Sequence, residues 1–183
     1  WRIDVTPSDG ASSGALVFSS VTIGNTVPTA TGLTITPASP LTGDDLTAGY
    51  TFNDADGDSD LSTIQWFKNG VLVPALNGLF IVPAANTVKG DLWRIDVTPS
   101  DGASSGALVS ASVTIGNTAP SISGLAISPA SPVTADDLTA SYTFNDVDAG
   151  DLESGSVIQW YKNGVLQPAL NGLLIVPAAD TAK

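Results

Sequence analysis

Apolar and polar residues alternate along short stretches of this chain, and each stretch ends at a turn signal. In LTAGYTF the side chains of Leu46, Ala48, Tyr50 and Phe52 fall on one face, with Thr and Gly on the other. The same period of two recurs in GLTITP, TIQWFK, LWRIDVTP and ALVSASVTI. Alternation over such lengths is typical of strands with one buried face. About seven such strands per unit, with a turn about every 8–12 residues, predict an all-β, antiparallel β-sandwich.

The turn residues between these stretches favour hairpins. KNG occurs at Lys68 and again at Lys162, in each case directly after a stretch with an inward-facing tryptophan. Asn-Gly accepts positive φ at both of its positions, which suits a two-residue turn between antiparallel strands. We therefore expect Trp66 and its equivalent Trp160 to lie in strands that are followed by tight hairpins.

The chain contains much of its sequence twice. WRIDVTPSDGASSGAL begins at Trp1 and returns letter for letter at Trp93, 92 residues later. Later matches, such as KNGVL, are 94 residues apart, so the second copy has two extra residues between Asp148 and Gln159. Solenoid repeats have periods of about 20–50 residues, so a period of this length indicates a whole domain. The repeat therefore predicts β-sandwiches in tandem.

The repeat is out of phase with the chain. The stretches GNTVP and GNTAP, which begin at Gly24 and Gly116, have the composition of linkers. Residues 1–25 then match only the last two strands of a preceding or neighbouring subunit's sandwich. Residues 26–117 are predicted to form a complete immunoglobulin-like sandwich, and residues 118–183 one that lacks its last two strands. Residues 26–117 are called the first copy below, and residues 118–183 the second copy.

A sandwich that lacks two strands exposes sheet edges and half of its core, so neighbouring strands are expected to complete it. Three origins for this phase stay open. The chain can be a slice of a long covalent array, or its first strands can complete the open sandwich of another subunit, as in donor-strand complementation. It can also be a chain trimmed by proteolysis after Lys183, three residues short of the point where the pattern returns to Trp1. The inward positions of the first two strands, which would make the assembly contacts, are Trp1, Ile3, Val5, Val17, Val21 and Ile23.

Composition excludes several classes of function. The net charge is −12 with only six Lys and Arg, and phosphate contacts need clustered basic residues, so we expect no nucleic-acid partner. The absence of His and Cys excludes Ser-His-Asp, Cys-His and zinc-histidine chemistry. The chain is therefore not expected to be an enzyme. No stretch has the roughly 20 consecutive apolar residues of a membrane-spanning helix. O-linked glycans on the many Ser and Thr residues are compatible with the sequence.

Carboxylates alternate in one loop of each copy. NDADGDSD and NDVDAGDLES both follow the second predicted strand of their copy. Alternate carboxylates beside Gly can converge on a hard cation, and Ca²⁺ takes 6–8 oxygen ligands. The alternative is a solvated acidic turn. The pairs that begin at Asp44 and Asp136 are interpreted as turn residues. The candidate ligands for Ca²⁺ are Asp54, Asp56, Asp58, Asp60, Asp146, Asp148, Asp151 and Glu153.

The chain resembles bacterial and archaeal immunoglobulin-like tandem repeats, including polycystic-kidney-disease-type and cadherin-like repeats. The resemblance rests on the inward Trp66 and Trp160, the KGDLW corner, the NTAP linker and the acidic YTFNDADGD stretch. It differs from antibody-type domains in having no cysteine pair. The resemblance implies an extracellular or cell-surface protein, and in cadherin-like repeats calcium at such a loop stiffens the junction between domains.

These observations predict a structural building block of an extracellular filament or surface stalk. Its partners would be copies of itself, joined head-to-tail, because two different surfaces meet and the contact propagates. The alternative is an adhesin, a module that binds a carbohydrate or a receptor. That alternative needs an exposed aromatic platform, for which Phe18, Phe67 and Tyr161 are the available rings.

Overall fold

The computed structural model describes residues 1–182, and it is an all-β protein, 41% strand and 7% helix. The predicted all-β class is confirmed. The helical residues form four single turns of 3₁₀ helix, at Pro74–Leu76, Ala84–Asn86, Pro168–Leu170 and Ala178–Asp180. The strands are β1 (Arg2–Val5), β2 (Val17–Ser20), β3 (Thr29–Thr36), β4 (Leu46–Asn53), β5 (Thr63–Lys68), β6 (Val71–Leu72), β7 (Ile81–Val82), β8 (Leu92–Thr98), β9 (Val109–Thr114), β10 (Ser121–Ser128), β11 (Leu138–Asn145), β12 (Tyr161–Lys162), β13 (Val165–Leu166) and β14 (Ile175–Val176).

The strands form several sheets whose order follows the repeat. In the first copy, β3-β4-β7 is a three-stranded sheet and β6-β5-β8-β9 is a four-stranded sheet. In the second copy, β10-β11-β14 repeats the three-stranded sheet, while β12-β13 repeats only the hairpin of the other one. Strands β1 and β2 form a separate two-stranded sheet, which we call the ribbon. Several antiparallel sheets of this kind are consistent with a β-sandwich.

The alternating pattern explains which side chains are buried in the first copy. Leu46 and Ala48 of β4, and Ile64 and Trp66 of β5, are buried as predicted. Strand β8 departs from its pattern, since Asp96 was expected on the exposed face with Arg94 but is only 8% exposed. Its carboxylate is covered by Arg94, 2.9 Å from Nε to Oδ1, and accepts a 2.8 Å hydrogen bond from the Ser110 hydroxyl. The outer face of this sheet therefore carries a partly buried polar cluster.

The Asn-Gly turns behave as predicted. Asn69 and Gly70 have φ values of 52° and 82°, and they join β5 to β6 with Lys68 opposite Val71. In the second copy Asn163 and Gly164 take φ values of 53° and 79° between β12 and β13. Both central residues of a type I′ turn need positive φ, which Asn and Gly adopt at little cost.

Contacts divide the chain into two compact units. One unit comprises residues 1–35, 48–80 and 94–112, and the other comprises residues 36–47, 81–93 and 113–183. The domain boundaries inferred from the repeat stay a prediction. Within residues 1–182, none of the helical segments has the length and apolar character of a membrane crossing.

Candidate functional site

The ribbon presents a bare apolar face. Its two strands are antiparallel, with Val5 opposite Val17 and Ile3 opposite Ser19, and the main chain of Trp1 exchanges two further hydrogen bonds with Val21 at 2.7 and 2.8 Å. Period two therefore brings alternate residues of both strands to one face. The structure leaves every predicted assembly residue exposed, namely Trp1, Ile3, Val5, Val17, Val21 and Ile23.

The same residues are buried where the sequence recurs. We call residues at equivalent positions of the repeat twins. Trp1 is 87% exposed, whereas its twin Trp93 in β8 is 1% exposed. Ile3 is 63% exposed, whereas its twin Ile95 is fully buried. The ribbon thus has the sequence of a strand that is buried in the first copy, but its own apolar side chains are exposed to solvent.

The opposite face of the ribbon carries a charged pair beside an aromatic ring. The Arg2 guanidinium lies 4.2 Å from the centre of the Phe18 ring and 2.5 Å from Oδ1 of Asp4. In the first copy the twin Arg94 lies 4.3 Å from the centre of the Phe67 ring in β5. The guanidinium groups thus stack on two of the three rings considered for a carbohydrate platform, and the binding-module alternative stays a prediction.

The second copy has an open groove, formed by two cavities that are both lined by Trp160. One part of about 940 Å³ is lined by Leu138, Trp160, Leu170 and Val176, among other residues, and another of about 720 Å³ by Ile122, Ile127 and Ala140, among others. The sheet beside the groove is short, since β12 begins only at Tyr161 whereas its counterpart β5 begins at Thr63. In the first copy β5 has β8 as its neighbour, and residues 118–182 contain no counterpart of β8 or β9.

The burial of twins shows how open the groove is. Leu46 of the first copy is fully buried, and its twin Leu138 is half-buried. Ile35 is 7% exposed, and its twin Ile127 is 52% exposed. The indole nitrogen of Trp160 still donates to the Leu173 carbonyl at 2.9 Å, as Trp66 does to that of Leu79 at 2.9 Å. The second copy therefore keeps the local geometry of the first and lacks the cover over its core.

Each acidic loop gathers three carboxylates. Oxygen atoms of Asp54, Asp56 and Asp58 lie within 4.8 Å of one another, and so do those of Asp146, Asp148 and Asp151. Each group has the carboxylate convergence that a cation site needs. The structure thus brings together six of the eight predicted ligands.

The two remaining predicted ligands lie outside these groups and have the same role in both copies. Asp60 accepts a hydrogen bond from the Tyr50 hydroxyl at 2.8 Å, and Glu153 accepts one from the Tyr142 hydroxyl at 2.5 Å. Each carboxylate thus fixes the end of its loop to the second strand of its copy.

The linker before each copy is bound to the acidic loop. The amide of Thr26 donates to Oδ2 of Asp56 at 2.5 Å, and the amide of Thr118 donates to Oδ2 of Asp148 at 2.7 Å. The first of these linkers is also bound to a second loop, since the Asn25 side-chain amide donates to Asp101 at 2.8 Å. This hydrogen bond, with those from the amides of Ser104 and Ala103, lowers the pKa of Asp101 to about 2.

Asp148 has the most enclosed carboxylate of the two loops. It is 2% exposed, and its Oδ1 atom has no hydrogen-bond partner among the described residues, which also holds for the buried Thr118 hydroxyl. Nearby, Nζ of Lys89 lies 2.7 Å from Oδ2 of Asp151. The Thr42 hydroxyl, the Thr118 amide and the charge of Lys89 together lower the pKa of Asp148 below its ordinary value. The carboxylate is therefore ionised at neutral pH, although it is buried.

Sequence reasoning missed the neutral residues of these junctions. Thr26, Thr118 and Asn25 act through hydrogen bonds whose partners lie far away in sequence, and the recurrence of Asn-Thr in both linkers was the available signal. The Thr42 hydroxyl likewise accepts the amide of Lys89 at 2.9 Å. Asp45 bonds a segment that is far away in sequence, since its carboxylate accepts the amide of Ala84 at 2.6 Å, and its interpretation as a turn residue stays a prediction. Its counterpart Asp137 does the same for Ala178, also at 2.6 Å.

No protein-family model matches the chain, and neither a curated protein nor a solved structure is significantly similar to it.

Proposed function

We propose that this protein is a structural building block of an extracellular filament or surface stalk, assembled head-to-tail as a string of immunoglobulin-like sandwiches. One observation carries the proposal. Trp, Ile and Val of the repeated WRIDV are buried in β8 of the first copy and exposed in the ribbon, while residues 118–182 have an open groove and contain no counterpart of β8. The ribbon is therefore suited to fill the groove of the next unit.

Burial of the apolar face of β1 roughly offsets the cost of bringing two molecules together. Burying Trp1, Ile3 and Val5 contributes on the order of 5–9 kcal/mol, at about 1.5–3 kcal/mol for each large apolar side chain. Association of two molecules costs an estimated 4–15 kcal/mol in lost freedom. The apolar residues of β2 and the main-chain hydrogen bonds between strands must therefore contribute as well. Assembly is expected to depend on protein concentration.

The contact propagates because donor and acceptor are different surfaces. The ribbon lies at one end of the sequence and the groove at the other, so a molecule that donates its ribbon still has a free groove. Such heterologous contacts form open chains unless their rotation closes a ring. Covalent continuation of the repeat would give the same string of sandwiches. Intact mass separates the two routes, since separate subunits give about 18.5 kDa and a continuous array gives many times more.

The test is self-assembly of the 183-residue chain, measured by sedimentation velocity over a range of concentrations and by electron microscopy. Ile3→Asp places a charge on the bare apolar face and should abolish assembly. Thr22→Asp is the matched control, because it adds the same charge to the other face, beyond the strand pair of Arg2 and Ser20, where the twin Thr114 is exposed in the first copy. Chains that stay monomeric at all concentrations would refute strand donation, and so would equal effects of the two variants.

We further propose that Ca²⁺ binds at the acidic loops and stiffens the junction between successive copies. The buried Oδ1 of Asp148 lacks a hydrogen-bond partner among the described residues and lies in a group of three convergent carboxylates. Oδ2 of the same residue holds the linker amide of Thr118. A cation on this carboxylate would therefore link the loop to the linker. A ligand present at ten times its Kd stabilises the folded state by about 1.4 kcal/mol.

Calorimetric titration with Ca²⁺ tests this second proposal. The wild-type chain should bind Ca²⁺ at up to millimolar concentrations, as extracellular modules do. Asp148→Asn should remove one site, because an amide keeps the hydrogen bond to Thr118 but lacks the charge. Asp60→Asn is the control, since Asp60 lies outside the acidic groups. No heat of binding at millimolar Ca²⁺ would exclude the proposal and leave the assembly proposal intact.

A further inference from the structure

The proposed contact between a ribbon and the groove of a second molecule would correspond to the pairing of β8 with β5 inside the first copy. The two contacts would differ in the residues around one arginine on the outer face of the sheet. In the first copy, β8 lies between β5 and β9. Arg94 of β8 stacks on Phe67 of β5, and Asp96 of β8 accepts a hydrogen bond from Ser110 of β9. On this face the arginine thus has an aromatic ring on one side and a small polar residue on the other.

The repeat changes both neighbours of the arginine and leaves the arginine unchanged. The ribbon keeps Arg2 and Asp4 as twins of Arg94 and Asp96. The twin of Ser110 is Phe18, which lies opposite Asp4 in the ribbon. The twin of Phe67 is Tyr161, the first residue of β12, and its side chain is 59% exposed.

We infer that Arg2 of one molecule is held between its own Phe18 and Tyr161 of a second copy of the chain, and that these two rings determine the specificity of the assembly contact. The inference rests on the proposed assembly function. A ribbon that enters the groove with the register of β8 places β1 beside β12, as β8 lies beside β5. Tyr161 then meets the face of the guanidinium that Phe18 does not occupy. Guanidinium groups bind aromatic rings within about 6 Å, and more strongly when water is excluded.

Phe18 also organises the donor before the contact forms. Its ring already lies 4.2 Å from the Arg2 guanidinium, which is fixed at the other end by Asp4. A side chain that is ordered in the free molecule loses less freedom on binding. The serine found at this position in β9 cannot stack on the arginine, so the ribbon is better suited to an aromatic acceptor than β9 is.

The test uses the full chain, with the concentration of half-assembly measured by sedimentation velocity. Phe18→Ser gives the ribbon the residue of the first copy, and Tyr161→Ala removes the acceptor ring. Each variant should raise the half-assembly concentration about twofold to thirtyfold, the range that one cation–π contact represents. Tyr161→Phe keeps the ring and should leave the concentration unchanged.

The double variant tests whether both rings act on the same guanidinium. Phe18→Ser combined with Tyr161→Ala should raise the half-assembly concentration by less than the product of the single effects, because partners of one group are not additive. Both positions are exposed in the free chain, so unchanged urea unfolding midpoints are expected and separate the effect from misfolding.

The outcomes distinguish this inference from the function on which it rests. A wild-type chain that assembles while both single variants assemble equally well would overturn the role of the two rings and leave strand donation standing. A wild-type chain that never assembles would overturn both. Single effects in the expected range, with a smaller combined effect, support the inference.

Discussion

Gly106 offers a sharp test of how closely the chain packs in the first copy. A Cβ atom at this position would lie 2.0 Å from the carbonyl oxygen of Pro28 and 2.9 Å from Cγ of Pro99. Ordinary contacts begin at 3.4 Å, so Gly106→Ala would have to move the main chain by about 1.4 Å. Overpacking of this kind costs about 1–3 kcal/mol. We expect the upper half of that range, because a main-chain oxygen cannot rotate away.

Urea unfolding followed by tryptophan fluorescence measures the effect. The free energy of unfolding of Gly106→Ala should fall by about 2 kcal/mol, after about 0.4–1 kcal/mol is regained from the lower entropy of the unfolded chain. The matched control is Gly24→Ala, where a Cβ atom would meet nothing within 4 Å. A Gly106→Ala chain that is as stable as the control would refute the close approach to Pro28.

The twin of this glycine extends the same reasoning to assembly. A Cβ atom on Gly14 would meet Cγ of Pro7 at 2.9 Å, as that on Gly106 meets Pro99, but no linker carbonyl lies within 4 Å of it. The change Gly14→Ala should therefore leave the free energy of unfolding of the chain within about 0.5 kcal/mol of wild type. It should block assembly, because the docked ribbon would meet the carbonyl of Pro120, the twin of Pro28. Normal assembly of this variant would contradict docking in the register of β8.

Three further predictions concern single side chains. Trp93→Ala should lower the free energy of unfolding by about 3–5 kcal/mol. Trp1→Ala should leave the midpoint of urea unfolding unchanged and weaken assembly. Equal shifts of the two unfolding midpoints would contradict the difference in burial between these tryptophans. Asn25→Ala should raise the pKa of Asp101 from about 2, measured by NMR titration, because the Asn25 amide is the largest cause of the shift. A lowered pKa stabilises the fold above about pH 4 and is lost as the pH falls toward about 2, so the difference in thermal midpoint between Asn25→Ala and wild type should shrink over that window. Asn69→Ala should cost about 1–2 kcal/mol in urea unfolding because φ is 52° at this position, while Asn69→Gly should cost less than that.

The strands of the first copy could be predicted because each carries its own signal. Alternation identified β4, β5 and β8 within a residue or two of their ends, and Asn-Gly placed the turn between β5 and β6. The length of β12 could not be predicted in this way. Its sequence VIQWYK resembles that of β5, but a strand also needs a hydrogen-bonded neighbour, and β5 has one in β8.

The acidic loops were predicted only in part for a related reason. Spacing alone favoured eight ligands, but Asp60 and Glu153 bind tyrosine hydroxyls of their own copies. The burial of Asp148 depends on the folded positions of the linker and the loop, which no local pattern encodes. Tertiary packing determines which side chains form hydrogen bonds across distant segments. The sequence shows which groups can donate or accept, but it does not show which of them pair.

The ribbon repeats the sequence of β8, so the two segments compete for the same position beside β5. Within a molecule, β8 is tethered close to β5, which corresponds to an effective concentration of about millimolar for short connections. A ribbon from another molecule reaches comparable concentrations only in a crowded solution. The first copy should therefore exclude foreign ribbons once β8 is seated, but a newly made chain whose β8 is still free is open to invasion. Whether β8 pairs with β5 before another molecule binds would therefore decide between an ordered filament and irregular aggregates.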